Sequence, residues 1–526
     1  MSLEDIKSPL PPRKVSTSED SLPEANEGRG EVILKKSESV QADSGESLGN
    51  SEESKNLGVE ISEKKEPEKV VVSEEKKEKK GPVIDIKKIL IVLGVLLVLG
   101  MGAFFIFGKK DKQEEVVLNY WGLWEDEAVI NGIIANFERE NPKIKVVYKK
   151  NQKTDYRTRL KGRLGKDPNG AEVPDIFRIH SSWVPMFEGE LARVPNSTVK
   201  KLEMESDFHE NYKRELTIKG QFVGIPLMYD GLAMFYNKDL IDAAQIEIPK
   251  SWWDLEKAAV KLTVRDENDN IKVAGAGLGT VENVDHWSDI VGLMMKQNGV
   301  DPKSEGEASD TKIKEVLTFY SLFSSRDKVW DSSLPNSTQM FANGKLGFYF
   351  GPSWRVFNIE EMNPNLNFEV VGIPQLPVID EAQSELGSDS SLTNINWSSY
   401  WFEGVNSNSK NQKEAWMFLE YLASKENLEK MYLAASQIRS FGEIYPRKSM
   451  LDQMKANKKT AAFATGANTA SGWYLSSRTF DDGVNDEMSR YFGNAINGIV
   501  IDAKTPESVM PDLRNGINQL VRKYNL

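Results

Sequence analysis

One uncharged stretch divides the chain and limits what it can fold into. Residues 89–108 form a run of twenty without a charged side chain. At about 1.5 Å per residue, a helix of this length crosses a hydrocarbon core of roughly 30 Å. A cleaved signal peptide starts near residue 1 and ends in small residues, whereas this stretch follows 88 residues and runs into Phe-Phe-Ile-Phe. It is predicted to be a single transmembrane helix.

Composition changes sharply on the two sides of this stretch. Residues 1–88 hold no Phe, Tyr or Trp and are rich in Ser, Glu and Lys. They bury too little apolar surface to offset the entropy lost on ordering, so a disordered tail is predicted, either a docking tail or a solvated spacer. Six lysines lie in the fifteen residues before the stretch and three in the fifteen after it. This bias predicts a cytoplasmic tail, a short tether (109–115) and an extracellular or periplasmic body.

Composition also excludes several classes of protein. The net charge of −12 argues against a nucleic-acid binder, and the absence of cysteine removes disulfides, thiol nucleophiles and a lipid-modified N-terminal cysteine. The motifs GxSxG, GxxxxGK[ST] and HExxH do not occur, and three histidines make a zinc site improbable. No cofactor and no metal are predicted.

Strands and helices alternate at the start of the body. Residues 116–121, 143–150 and 174–179 have strand character, and helical patterns separate them. This alternation indicates a parallel sheet in an α/β domain. Further helices are predicted at 253–262, 285–297, 312–325, 412–423, 426–435, 484–499 and 507–524, and strands at 346–350 and 367–374.

A polar triplet interrupts a long apolar run at residues 224–240, GIPLMYDGLAMFYNKDL. Tyr229, Asp230 and Gly231 separate two strand-like halves. The triplet is either an ordinary turn or a crossover between two domains whose side chains face a cleft.

Six stretches of the body form an ordered set of motifs: NFERENPKIKVVY (136–148), VPDIFRIHSSWVPMFEGELARV (173–194), GQFVGIPLMYDGLAMFYNKDLI (220–241), IPKSWWDLEKAAVKLT (248–263), MFANGKLGFYFGPSWRVFNI (340–359) and NQKEAWMFLEYLASKENLEKM (411–431). In number and order they resemble the motifs of the solute-binding receptors of ABC transporters, in the sugar-binding family that includes maltose-binding protein. The resemblance covers roughly residues 116–526, and the YNKDL motif follows the crossover from the first lobe to the second in that family.

The resemblance implies an α/β, two-lobe periplasmic-binding-protein-like fold of type II. Lobe 1 is expected at 116–229 and 376–425, and lobe 2 at 230–375 and 426–526. The implied function is a membrane-anchored receptor without catalysis that binds a carbohydrate, expected to be an oligosaccharide, between the lobes and delivers it to an ABC permease. Two alternatives remain: a ligand sensor that signals to a membrane partner, and a glycosidase with paired carboxylates.

Site residues follow from the chemistry of a sugar, which offers C–H faces to aromatic rings and hydroxyls to polar groups. A tryptophan that follows a strand is either core or a stacking platform, and several such residues together favour platforms. Glu125 and Asp126 either stabilise a helix start or contact ligand. The predicted ligand-binding residues are Trp121, Trp124, His180, Ser182, Trp183, Tyr229, Asp230, Trp354, Arg355, Tyr400, Trp401 and Trp473.

Overall fold

The computed structural model describes residues 115–165, 172–378 and 391–526. The predicted tail, transmembrane helix and most of the tether lie outside these ranges. Within them, no helix combines the length and apolar character needed to cross a membrane. The strands are β1 (Val116–Gly122), β2 (Ile144–Lys150), β3 (Ile176–His180), β4 (Thr217–Ile218), β5 (Gln221–Phe222), β6 (Ala233–Asn237), β7 (Val264–Arg265), β8 (Ile271–Ala276), β9 (Leu346–Gly351), β10 (Phe368–Val371), β11 (Pro377–Val378), β12 (Ser391–Leu392), β13 (Asn396–Trp397), β14 (Trp401–Val405) and β15 (Ala470–Ser471).

Helices connect these strands and cover both main sheets. The predicted helices are present at the expected places, with ends that shift by up to five residues. The α-helices are α1 (Glu127–Glu140), α2 (Tyr156–Leu164), α3 (Asn196–Lys201), α4 (Glu210–Glu215), α5 (Lys238–Ala244), α6 (Trp252–Leu262), α7 (Trp287–Gln297), α8 (Glu307–Ser325), α9 (Ser337–Ala342), α10 (Arg355–Met362), α11 (Gln412–Leu422), α12 (Lys425–Ala435), α13 (Leu451–Lys455), α14 (Ala461–Gly466), α15 (Val484–Val500) and α16 (Pro506–Tyr524). Short 3-10 helices lie at Ser181–Phe187, Lys448–Met450 and Ala467–Thr469.

Local sequence explains where several helices begin. Asp126 accepts a hydrogen bond from the amide of Ala128 and so caps α1. The first-turn residue Asp254 of α6 donates its amide to the Ser251 hydroxyl, 3.1 Å away, and accepts from that hydroxyl in return. The apolar stripe of α1 faces the core as its spacing predicts, through Val129, Ile130, Ile133, Ile134 and Phe137.

The first sheet has the strand order β14-β3-β1-β2. β1 runs parallel to β2 and β3, which confirms the parallel sheet predicted for the start of the body. β14 joins the edge antiparallel to β3, although it lies more than two hundred residues later in the chain.

The second sheet has the order β10-β6-β9-β8-β7 and is mixed rather than parallel. Only β8 and β9 pair in parallel, whereas β6 runs antiparallel to both β9 and β10. β6 enters this sheet directly from the interrupted apolar run, without a helix in between.

Three chain segments meet between the two sheets. Ile225 forms a β-bridge with Glu403 of β14, and eight residues later β6 starts in the second sheet. The Tyr229–Gly231 triplet thus lies in a crossover, not in a hairpin turn. Gly231 bridges Ser398 in the returning segment, and β13 of that segment pairs in parallel with β15.

The packing of the late helices bears on the lobe boundaries. α12 packs on α1 beside the first sheet, whereas α15 and α16 pack against α8 beside the second. The boundary expected between residues 425 and 426 separates α12 from the elements that it contacts. The lobe boundaries stay a prediction, and the described residues from 115 onward belong to one compact unit.

Candidate functional site

Several predicted site residues surround a cavity of about 430 Å³, here called the cleft cavity. β3 ends there at His180, β9 ends at Gly351, and Asp230 precedes β6. Ligand sites of α/β proteins form at such strand ends. The cavity is lined by Trp124, Lys153, His180, Met228, Asp230, Gly231, Leu232, His286, Asp289, Pro352, Trp354, Arg355, Asn358, Trp397, Ser399, Trp401, Arg439, Glu443, Ser477, Arg478 and Phe480.

Aromatic side chains next to the first sheet form one wall of the cleft cavity. Trp401 begins β14 and pairs in register with His180 at the end of β3. Its ring meets the ring of His180 at 5.2 Å and that of Trp124 at 5.5 Å, both edge to face. Trp124 is 38% exposed, so part of its ring is open to a ligand. This wall offers flat apolar surfaces of the kind on which a sugar ring stacks.

His180 is a neutral polar group in that wall. Its Nδ1 lies 2.7 Å from the Ser182 hydroxyl and its Nε2 lies 3.1 Å from the Ser399 hydroxyl. Burial lowers the pKa of His180 to about 3. The Ser182 amide donates to Nδ1 at 3.3 Å, so Nδ1 is the acceptor of the neutral imidazole and Nε2 carries the proton, which it donates to the Ser399 hydroxyl.

The opposite wall comes from the end of β9 and the start of α10. Pro352 follows the strand, and Trp354 immediately precedes the helix. The Trp354 side chain is half-buried, and the guanidinium of Arg355 lies 4.5 Å from the centre of its ring. The ring of His286 meets Trp354 edge to face at 5.5 Å. The cation and the histidine hold Trp354 in place while part of its surface stays accessible.

A chain of charged and polar groups supports this second wall. Nε of Arg355 donates to Nε2 of His286 at 2.9 Å, so the imidazole proton resides on Nδ1, which lies 2.7 Å from the Ser477 hydroxyl. Burial, together with the Arg355 charge, lowers the pKa of His286. Burial alone would raise the pKa of Asp285, but Arg355, 3.2 Å away, and the Thr338 hydroxyl outweigh it and lower that pKa to about 2.

Asp230 lies at the floor of the cleft cavity, in the crossover. Its Oδ1 accepts hydrogen bonds from the amides of Gly231 at 2.8 Å and Ser353 at 3.0 Å. Burial raises the pKa of Asp230 to about 7 despite these two donors. The carboxyl therefore joins the crossover to the start of the second wall and changes charge near neutral pH.

A segment that was not predicted crosses the same cavity. Residues 476–483, here called the strap, contribute Ser477, Arg478 and Phe480 to the lining. Arg478 and Phe480 have φ angles of 58° and 54°, and Asp482 has 42°. Three non-glycine residues in the left-handed region within five positions are unusual, and such strain concentrates at functional sites. No glycine occupies these three positions, and the Asp482-Gly483 pair at the end of the strap was the available turn signal.

The cleft cavity adjoins a smaller cavity of about 210 Å³, here called the side cavity. The two share Trp124, Met228, Arg439 and Glu443. Arg439 and Glu443 form an ion pair of 2.5 Å at this junction. The side cavity continues along the start of α1, along α12 and just beyond the end of α12, where Ile438 is exposed.

Half of the predicted site residues do not line the cleft cavity, and most of these stand behind it. Trp183 is fully buried, stacks on Phe187 at 5.9 Å and supports Trp401 from behind. Tyr400 is fully buried, and Tyr229 donates its hydroxyl to the carbonyl of Trp397 at 3.3 Å. The position of a residue after a strand predicted that it lies near the cavity. It did not predict whether the side chain lines the cavity or packs behind the lining. The residues in this second layer are Ser182, Trp183, Tyr229 and Tyr400, whereas Trp121 and Trp473 are buried and do not line the cavity.

Glu125 and Asp126, for which two roles were open, have structural partners. Asp126 caps α1, and Glu125 is buried against Arg178. Arg178 also pairs with Glu403 at 2.5 Å, and Tyr120 donates to Glu403 at 2.8 Å. Glu125 and Asp126 nevertheless both line the side cavity. Within the described ranges, no group of His, Asp and Glu could hold a metal ion.

This chain is similar in sequence to known solute-binding proteins. The family model of bacterial extracellular solute-binding proteins matches residues 132–471. A binding protein of Brucella abortus is 23% identical over 397 residues, which cover 74% of this chain and 88% of that protein. The multiple sugar-binding protein of Streptococcus mutans is 22% identical and covers 65% of this chain and 80% of its own length.

Solved structures share the fold. An ABC transporter solute-binding protein of Thermotoga lettingae, bound with α-D-tagatose, superposes with a TM-score of 0.56 at 20% identity and covers 77% of this chain and 100% of that chain. The sugar-binding protein MalE of Xanthomonas citri gives 0.60 at 15% identity, with 78% and 98% covered. The described chain thus has the α/β fold of two-lobed binding proteins.

Proposed function

The chain belongs to the bacterial extracellular solute-binding protein family, and from this premise we propose that it is a carbohydrate receptor of an ABC transporter. It takes up an oligosaccharide in the cleft cavity and passes it to the permease without changing it chemically. The name of the multiple sugar-binding protein supports a carbohydrate as the class of ligand.

One observation carries the proposal: aromatic surfaces from both sheets face one cavity that also holds polar groups. Trp124 and Trp401 lie beside the first sheet, and Trp354 follows β9 of the second. Stacking on such surfaces suits the C–H faces of a sugar ring, and both faces of the ligand meet protein when the cavity is filled. A volume of about 430 Å³ lies in the range of ligand pockets.

Polar side chains supply the hydrogen bonds that hydroxyl groups require. His180 offers a neutral imidazole, Asp230 a carboxyl group and Arg355 a guanidinium, and each lines the cleft cavity. The Nη2 of Arg355 is buried and forms an ion pair with Asp285 but no hydrogen bond with any described residue, so donors of this guanidinium remain for a ligand oxygen. We assign these three cavity-lining residues and the three tryptophans as ligand contacts, with the second-layer residues as their supports.

Membrane attachment is part of the same proposal. Residues 89–108 anchor the receptor as one helix, the N-terminal tail lies in the cytoplasm, and the body lies outside next to the permease. The uncharged run and the lysine bias support this topology.

A screen of neutral and acidic oligosaccharides by thermal shift tests the carbohydrate proposal. A ligand at a hundred times its dissociation constant adds about 2.7 kcal/mol to the free energy of unfolding. Each ligand that raises the melting temperature is then titrated by calorimetry and recovered intact from the complex. The proposal is abandoned if no carbohydrate raises the melting temperature, or if the recovered sugar is cleaved.

A further inference from the structure

Five cations and one acidic residue, Asp155, lie between residues 149 and 159, and the five cations are here called the basic rim. They are Lys149 and Lys150 at the end of β2, Lys153, and Arg157 and Arg159 in the first turns of α2. All except Arg157 are exposed. The rim lies at the mouth of the proposed site, because Lys150 lines the side cavity and Lys153 lines the cleft cavity.

Among the described residues, no carboxylate oxygen lies within 4 Å of any charge of the basic rim. The nearest ion pairs along the chain are Lys145–Glu138 before it and Lys161–Glu190 after it. The rim cations contact neutral groups instead. Nζ of Lys153 lies 4.6 Å from the ring centre of Phe480, and Arg159 donates to the carbonyl of Gln152 at 2.6 Å.

A sixth cation reaches the cavity from the strap. Arg478 is exposed, lines the cleft cavity and pairs with Oδ1 of Asp285. The same oxygen faces Arg355, so two guanidinium charges share one carboxylate. Lys153 covers the ring of Phe480, and Lys153, Arg478 and Phe480 line the same cavity. Positive charge therefore exceeds negative charge in this corner of the cavity.

The acidic groups of the cavity are satisfied by other donors. Asp289 accepts from the Trp397 indole at 2.8 Å and from the Ser477 amide at 3.1 Å. Glu443 pairs with Arg439, and Asp230 accepts two backbone amides.

Within the described part of the chain, two of the three carboxylates around the strap, those of Asp481 and Asp486 but not that of Asp482, also have partners of their own. Asp481 accepts from the amide of Gly483 and from the side-chain amide of Asn485, each at 2.9 Å. Asp486 accepts the amide of Asp482 at 2.8 Å. These acids therefore bind the start of α15 rather than neutralise the basic rim.

We propose that the ligand of the cleft cavity is an anionic carbohydrate, whose acidic group binds Lys153 and Arg478 beside Phe480. The inference rests on the proposed function and adds the class of sugar. A local positive surface on a chain of net charge −12 concentrates anions at one place, which neutral sugars do not require. The acidic group is a carboxylate, a sulfate ester or a phosphate ester, which share this chemistry.

Three matched pairs of probes test the inference on the full-length chain by calorimetry. The pairs are trigalacturonate and its carboxyl-reduced form, neocarrabiose sulfate and neocarrabiose, and trehalose 6-phosphate and trehalose. We expect one acidic member to bind at least about tenfold more tightly than its neutral partner, as a charge-assisted hydrogen bond implies. The advantage should vanish near 1 M salt, where the Debye length is about 3 Å.

Two variants locate the acidic group. Lys153→Gln should weaken binding of the preferred acidic probe about tenfold, and Lys153→Arg should restore most of that loss. Lys145→Gln is the matched control, because Lys145 belongs to the same strand region but pairs with Glu138 away from the cavities. The Lys145→Gln variant should bind the preferred acidic probe with the affinity of the wild type.

The outcomes separate this inference from the proposed function. Equal or tighter binding of the neutral partners overturns the anionic ligand and leaves the carbohydrate receptor intact. The anionic ligand is equally overturned if the oligosaccharide screen finds only neutral ligands, or if Lys153→Gln and Lys145→Gln bind the acidic probe equally. Failure of every carbohydrate to bind removes the proposed function, and this inference with it.

Discussion

Two tryptophans show how burial decides the role of a single residue. Trp252 is fully buried and donates its indole N–H to Gln297 at 2.6 Å, whereas Trp354 is half-buried at the wall of the cleft cavity. The same side chain therefore stabilises the fold at one position and leaves a surface for a ligand at the other.

Trp354→Ala should weaken ligand binding roughly ten- to a hundredfold and lower the melting temperature little, because the exposed part of the ring contributes to binding rather than to the core. Trp252→Ala is the matched control and should cost about 3–5 kcal/mol of unfolding free energy. Calorimetric titration and thermal melts measure both. A large fall in the melting temperature of Trp354→Ala with unchanged affinity would assign Trp354 to the core.

The charge of Asp230 should make the stability of the body depend on pH. Burial raises its pKa to about 7 in the folded state, above the ordinary value near 4. The folded protein thus holds this proton more tightly than the unfolded chain, and its contribution to the free energy of unfolding falls as the pH rises from about 4 to about 7.

Asp230→Asn removes this titration while keeping an oxygen for the two amides. We expect the variant and the wild type to have similar stability near pH 4, and the variant to be more stable by on the order of a few kcal/mol at pH 8. Denaturant unfolding of both proteins at the two pH values measures the difference. A variant that is less stable at pH 8 would show that the charged carboxylate is favourable in its site.

Residue positions after strands predicted the site only in part. His180, Asp230 and Trp354 were expected at strand ends and line the cleft cavity. Trp183 was expected there too, but its ring occupies the layer behind Trp401. Sequence spacing fixes how far a side chain is from a strand end, whereas its direction depends on the local turn, here a 3-10 helix at Ser181–Phe187.

At the scale of elements, the first sheet was predictable because its parallel strands alternate with amphipathic helices. The pairing of β14 and the mixed order of the second sheet were harder to predict, since antiparallel pairs such as β6 with β10 join residues far apart in the sequence. The strap was not predicted, because its left-handed residues Arg478 and Phe480 belong to types that rarely adopt such angles.

The crossover depends on the absence of a side chain at Gly231. A Cβ atom there would lie 2.1 Å from the carbonyl oxygen of Trp397, which is backbone and cannot rotate away. Gly231→Ala should push the two crossing segments apart, cost about 1–3 kcal/mol of unfolding free energy and weaken ligand binding. Gly372→Ala is the control, because its Cβ would meet no atom within 4 Å. Similar melting temperatures and affinities for both variants would contradict the close packing.

At the scale of the whole molecule, the lysine bias predicts which side of the membrane each part occupies. Protease added to intact cells should digest the body and spare an epitope inserted near Ser16, since the fifteen residues before the uncharged run hold six lysines and the fifteen after it hold three. Immunoblots against both parts measure the result, and permeabilised cells, in which both should be lost, are the control. Loss of the epitope with survival of the body would reverse the topology.

The body from Val116 onward should fold and bind ligand without the preceding residues. β1 begins at Val116, whose amide donates to the carbonyl of Lys143 at 2.9 Å, and the linings of both cavities fall between Trp124 and Phe480. The truncated protein should therefore elute as a soluble species, unfold cooperatively and bind the preferred sugar with the affinity of the full-length chain in detergent. Size-exclusion chromatography, thermal melts and calorimetry measure the three properties. Aggregation of the truncated body, or a loss of affinity relative to the full-length chain, would mean that residues before Val116 help to build the receptor.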